Sequence, residues 1–280
     1  MRGPEIIART MSVATARGAK RGGSAWEYHS RSDHHAKLAC WALMFDLLVE
    51  CDVLRKAAAD GRIAFAVNHV MVGPINKTLD MVLTLDDPKR SRAGSEAFAA
   101  MAAELRVALS DEDRAALLAL PALRVEGKDE VSEVAIALEA KACMTEHVKS
   151  IPQLHADILA TGYLARKSAP HCITVSFTLV NAAETYRSPG TSGKVTRHTQ
   201  PADALRVVEM IARTVPRAEE LGGYGYDVIG VTVMDCRNDG SPVSVAASAA
   251  FARIGSRVHY DRMVRSICSE FRHRYAATMV

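Results

Sequence analysis

The chain has 280 residues, 49% of them hydrophobic and 24% charged, a balance that suits a globular protein with a full core. Its formal net charge of +3 permits a nucleic-acid partner without demanding one, and no apolar run approaches the roughly 20 residues that cross a bilayer, so no membrane partner is expected. The six cysteines form no CxxC pair, which argues against a closed zinc site; disulfides are not needed at this size, the N-terminus does not read as secretory, and the expected location is cytoplasmic.

In the first 24 residues Arg2, Arg9, Arg17, Lys20 and Arg21 face only Glu5, so residues 1–33 read as a flexible basic arm, either tracking phosphates or solubilising the chain. From His34 to Asp60, Leu38, Trp41, Phe45 and Leu48 recur at helical spacing and predict one long helix. Arg62 to Gly73 and Thr78 to Leu85 read as two strands joined at Gly73–Pro74, and Asp80 is the only charge in the second. Residues from about 86 to 128 read as a helical insertion, a lid or a dimer surface, whose two helices meet at a capping box of Ser110 and Asp113. A third strand covers Val131 to Ala142. A helix with Pro152 in its first turn follows, then a strand from His171 to Asn181 and a loop from Ser188 to Lys194. A helix from Pro201, a strand over Gly225–Cys236 and a basic helix over Tyr260–Tyr275 complete the order, which predicts an α/β fold with residues 34–280 in a single domain. The first strand is followed by no glycine fingerprint, so neither a dinucleotide site nor a phosphate loop of the P-loop type is expected.

The chemistry is concentrated in VAIALEAKACM, Val134 to Met144. Strand alternation puts Glu133, Ala135, Ala137, Glu139 and Lys141 on one face and Val134, Ile136, Leu138 and Ala140 on the other. Charges on an interior strand must be paired, hydrogen-bonded or bound to a metal. A plain Glu139–Lys141 salt bridge is one explanation. The other adds Asp80 from the preceding strand, so that Asp80 and Glu139 converge on one Mg²⁺ with Lys141 alongside to position the attacking water.

With Asp80 in KTLDMVL and Glu139 and Lys141 in IALEAKA, the chain resembles the PD-(D/E)XK nuclease superfamily, although Leu79 stands where the family signature has proline. The resemblance covers about half of the chain, from Ala36 through Val180. It implies a restriction-endonuclease-like core, a central mixed sheet flanked by helices, that cleaves double-stranded DNA with Mg²⁺ held by Asp80 and Glu139. It also implies secondary contributions from Glu50 in LLVECDV, with Asp46 behind it, and from Gln153 in IPQLHAD. A homodimer is expected because cutting both strands needs two sites. The type II restriction enzyme is the leading expectation. A structure-specific or repair nuclease and a non-catalytic nucleic-acid-binding protein of the same fold are the alternatives. His147 and Lys149 are expected to meet the DNA backbone, His69 is a minor candidate ligand, and Trp26 and Tyr28 either stack on a base or pack on the core.

Overall fold

The computed structural model describes residues 1–13, 28, 33–71, 76–85, 98–126, 133–188, 194–214, 225–247, 250–251, 253 and 256–279. The elements in chain order are α1 (Gly3–Met11), α2 (Asp33–Glu50), α3 (Asp52–Ala59), β1 (Ile63–Met71), β2 (Lys77–Leu85), α4 (Phe98–Glu104), α5 (Asp111–Ala119), β3 (Arg124–Val125) and β4 (Glu133–Cys143). They continue as α6 (His147–Ser168), β5 (Ile173–Asn181), β6 (Thr185–Arg187), β7 (Val195–Arg197), α7 (Ala202–Arg213), β8 (Val228–Asp235), β9 (Ser244–Val245) and α8 (Tyr260–Tyr275).

Seven strands make one mixed sheet in the order β3-β1-β2-β4-β5-β8-β9, and β6 and β7 form a separate hairpin. β1, β2 and β4 are antiparallel neighbours, whereas β4, β5 and β8 run parallel and are joined through α6 and α7. Val175, Phe177 and Leu179 of β5 belong to the main core, with Leu38, Trp41 and Phe45 of α2 and Met263 and Ile267 of α8. Val180, Val231 and Val233 pack instead against Leu154 and Ile158 of α6 and Val207 and Ile211 of α7. Helices thus cover both faces of the sheet, and the second face is the one that carries Glu139 and Lys141.

Several expectations change. The single helix from His34 to Asp60 is two, because Cys51 is extended (φ −108°, ψ 102°) and turns the chain between α2 and α3. The N-terminal arm is not a free arm over its described part. Gly3–Met11 is a helix whose Ile6 and Ile7 are fully buried, and the fully buried Asp46 accepts the amides of Arg2 (2.8 Å) and Gly3 (2.7 Å). Arg2 and Arg9, expected either to track phosphates or to solubilise the chain, pair with Asp113 of α5. The rest of the arm lies outside the described residues.

The described part of the region expected as an insertion, a lid or a dimer surface, is knitted into the core. Phe98 stacks on Trp41 at 5.0 Å, the Trp41 indole donates to the Phe98 carbonyl, and β3 extends the sheet alongside β1. The Ser110–Asp113 capping box is present at the start of α5. Pro152 falls inside α6, beyond its first turn.

Two cross-links hold the second half of the fold. Asp227, just before β8, accepts from Arg166 of α6 at 2.6 Å, from Arg274 of α8 at 2.7 Å and from the Thr174 amide at 2.8 Å. Burial works to raise the Asp227 pKa, but Arg274, the Thr174 amide and Arg166 outweigh it and hold the carboxyl below its ordinary value. Asp227→Ala leaves the buried Arg166 without its counter-charge and is expected to destabilise the protein by about 3–5 kcal/mol in urea denaturation. Because the folded pKa is depressed, the stability that Asp227 contributes is present above about pH 4 and disappears as pH falls through the folded value.

The second cross-link is a disulfide between Cys51 and Cys268, which ties the α2–α3 junction to α8. No disulfide was expected. The two cysteines are 217 residues apart, and nothing in their local sequence marks them as a pair.

Candidate active site

The β2–β4 register pairs Met81 with Leu138 and Val82 with Ala137; carried one residue on, it sets Asp80 opposite Glu139. Directly opposed residues of an antiparallel pair share a face, with Cβ atoms about 4.5–5.5 Å apart. At this point the Asp80 side chain joins the two strands, with its Oδ2 accepting the Ala140 amide at 2.8 Å. Asp80 is thereby fixed at the edge of Glu139.

Glu139 is 5% exposed, and its Oε1 receives two ammonium groups, Lys141 at 2.7 Å and Lys77 at 3.1 Å. The lysine side chains are 23% and 28% exposed, so the charged group opens to solvent through its amines. Its other oxygen is different. Glu139 Oε2 is buried and makes no hydrogen bond among the described residues. An orphaned buried acceptor is costly, so Oε2 calls for a partner beyond the two lysines.

Electrostatics reflect the crowding. Burial, and then the charge of Glu139, push the Asp80 carboxyl up to about 6, against the lowering effect of the Ala140 amide and the two lysines. Burial works against the Lys141 ammonium, but Glu139, followed by Asp157 and Asp80, outweighs it and holds the pKa above its ordinary value.

The strand alternation expected through β4 is interrupted. The register slips between Leu83 and Thr84, so Ala135 joins the main core beside Ile136 and Leu138, while Val134 packs with Ala137 and Ala165. A bulge of this kind re-aims side chains without disturbing those beyond it. Glu139 and Lys141 lie past the slip and keep a common face.

The structure brings Asp80, Glu139 and Lys141 together; it does not bring Glu50. The part of α2 that senses the site is Cys40, whose thiol is pushed up by burial and by the charges of Asp80 and Glu139. Glu50 lies ten residues further along, about 15 Å down the helix axis, and is exposed. Asp46 is engaged with the backbone of α1. Gln153 is exposed on α6 and donates to Asp157 at 2.6 Å, so it reaches Lys141 only through Asp157. Lys77, which meets Glu139, and Asp157, whose charge acts on Lys141, were missed in the sequence because both act through the tertiary fold and neither belongs to a local pattern.

The remaining candidates lie elsewhere in the fold. His147 is buried, with Nε2 2.7 Å from the Asn181 carbonyl oxygen, so it is not placed to meet a DNA backbone. Lys149 is exposed and pairs with Glu146 at 3.2 Å. His69 is buried and lines a cleft of about 350 Å³ with Val70, Met71, Val134 and Pro170. Tyr28 is buried, lies against His35 with tilted rings 4.3 Å apart and packs on the core; Trp26 lies outside the described residues.

One group of three potential ligands lies within 4.8 Å among the described residues: Cys51, Asp52 and Cys268. Its sulfurs are bonded to each other, and Asp52 accepts from Arg272 at 2.6 Å, so that set is occupied structurally. No described helix is long and apolar enough to cross a membrane. Comparison of the chain with known protein families, with curated proteins and with solved structures gave no match.

Proposed function

We propose that the chain is a metal-dependent endonuclease of double-stranded DNA, of the type II restriction kind, with Mg²⁺ held by Asp80 and Glu139. The observation that carries this reading is the spare, buried Glu139 Oε2 beside an Asp80 carboxyl that resists ionisation. Two acids forced together without a shared proton donor are stabilised by a hard cation. Carboxylate oxygens suit Mg²⁺, which takes water for its remaining positions.

Mg²⁺ at this site supplies polarisation of the phosphodiester and a more acidic attacking water. The protein's own residues do the rest. Asp80 is held in place by the Ala140 amide, and Glu139 Oε1 is neutralised by Lys77 and Lys141, which leaves Oε2 for the cation. Lys141, fixed 2.7 Å from Glu139 and kept charged, presents an ammonium at the solvent side where phosphate charge grows during cleavage. Lys77 adds a second point charge for the same phosphate. A homodimer would provide one such site per strand.

The test is incubation with supercoiled plasmid and linear phage DNA in Mg²⁺ or EDTA. Discrete Mg²⁺-dependent bands are expected. Cutting confined to branched or single-stranded substrates would move the protein to the structure-specific nucleases. DNA binding without cleavage in Mg²⁺ or Mn²⁺ would leave a non-catalytic binder.

A further inference from the structure

β4 and β5 are parallel neighbours whose register sets Ser176 beside Glu139 and Thr178 beside Lys141. The β2–β4 register puts Asp80 on the opposite flank of Glu139. One row across the sheet therefore reads Asp80, Glu139, Ser176, and the next includes Lys141 and Thr178.

Ser176 and Thr178 are both fully buried, and neither hydroxyl has a hydrogen-bond partner among the described residues. The nearby Thr174 on the same strand differs: its hydroxyl has the Gly225 carbonyl and the Asp227 carboxylate as acceptors within reach and itself accepts the Asp227 amide. Alanine or valine would fill both positions without orphaning a polar atom, so two unpartnered hydroxyls here need a cause. They lie beside a carboxylate whose inner oxygen is orphaned in the same way.

The donor and acceptor types are complementary. An ammonium only donates and a carboxylate only accepts, whereas a hydroxyl does both. A chain running from Lys141 through Thr178 and Ser176 to Glu139 Oε2 has a consistent direction throughout, and it takes one of the two lone pairs of that oxygen, leaving the other for the cation. Residues two apart on a strand are separated by about 6.5 Å, a span that one water bridges.

We propose that Ser176 and Thr178 are positioning residues, whose hydroxyls, bridged by ordered water, fix the rotamer of Glu139 for cation binding and hold the Lys141 ammonium for the reacting phosphate. This rests on the reading of Asp80 and Glu139 as cation ligands. The role is that of a partner behind a ligand: Ser176 and Thr178 touch neither the cation nor the substrate.

The test is Mn²⁺ binding to the full chain, read from the electron paramagnetic resonance signal of free Mn²⁺ and requiring no turnover. The Ser176→Ala/Thr178→Val double variant is expected to bind Mn²⁺ about 10–100-fold more weakly. Thr178→Val alone, nearly isosteric, should show part of that loss with a thermal midpoint equal to or above the native one. Thr178→Ser, which keeps the hydroxyl, should restore affinity to within about threefold of native. If the double variant binds as tightly as the native chain while Glu139→Gln does not, the positioning role is wrong and the cation site stands. If the native chain binds no Mn²⁺, or Glu139→Gln binds it equally well, the cation site itself falls and this inference with it.

Discussion

The Lys141→Ala protein is expected to cleave duplex DNA about 10²–10³-fold more slowly than the native chain at saturating Mg²⁺, the usual cost of removing one preorganised charge from a reacting group. The loss should appear in the turnover rate and not in metal affinity. Lys141 and Lys77 share Glu139 Oε1, so removing one leaves the other at 3.1 Å and makes the carboxylate more negative toward a cation. Mn²⁺ binding by Lys141→Ala should therefore be equal to or tighter than native, while cleavage collapses. Lys77→Ala should retain more activity, because Lys77 is the more distant and more exposed of the pair. Undiminished cleavage by Lys141→Ala in a single-turnover assay would remove the assignment.

Asp80→Asn is expected to abolish Mg²⁺-dependent cleavage and, at the same time, to make the metal-free protein more stable at neutral pH. Burial and Glu139 raise the folded pKa of Asp80 from 3.8 to about 6. A carboxyl with a raised folded pKa binds its proton more tightly when folded, so unfolding free energy declines as pH rises through the interval between the two values and stays lower above it. At about 1.4 kcal/mol per unit, the charged Asp80 costs roughly 2–3 kcal/mol at neutral pH. Asparagine removes that charge and still offers an oxygen to the Ala140 amide. In EDTA near pH 7.5 the variant should unfold at higher urea than the native protein, and the difference should vanish near pH 4. Native cleavage at subsaturating Mg²⁺ should rise about tenfold per pH unit below about 6 and level off above it, since the cation needs the ionised form. An unchanged or lowered stability for Asp80→Asn would mean that the two carboxyls do not strain one another.

Much of the architecture is legible in the chain because it rests on local patterns. α8 spans the residues expected from periodicity, and β2 and β5 follow their β-branched and alternating runs. Glu139 and Lys141 were visible because a spacing of two puts paired charges on one face of an apolar strand, where a salt bridge or a metal has to account for them. The misses have physical causes. α1 was hidden by its glycine, proline and arginine residues, although Ile6, Ile7 and Thr10 form a buried face that only the tertiary fold makes worthwhile. Glu50 was plausible by its place on α2, but the direction of that helix against the sheet is a three-dimensional property. Ser176 and Thr178 looked like ordinary strand residues, since β-propensity favours threonine whether or not its hydroxyl is used. The slip at Ala135 has no glycine or proline to announce it.

The Cys51–Cys268 bond closes a covalent ring that takes in every strand among the described residues. A single peptide cut at any point between those residues therefore opens the ring without releasing either piece. On a denaturing gel such nicked protein should migrate as one species, and a thiol reagent should split it into two.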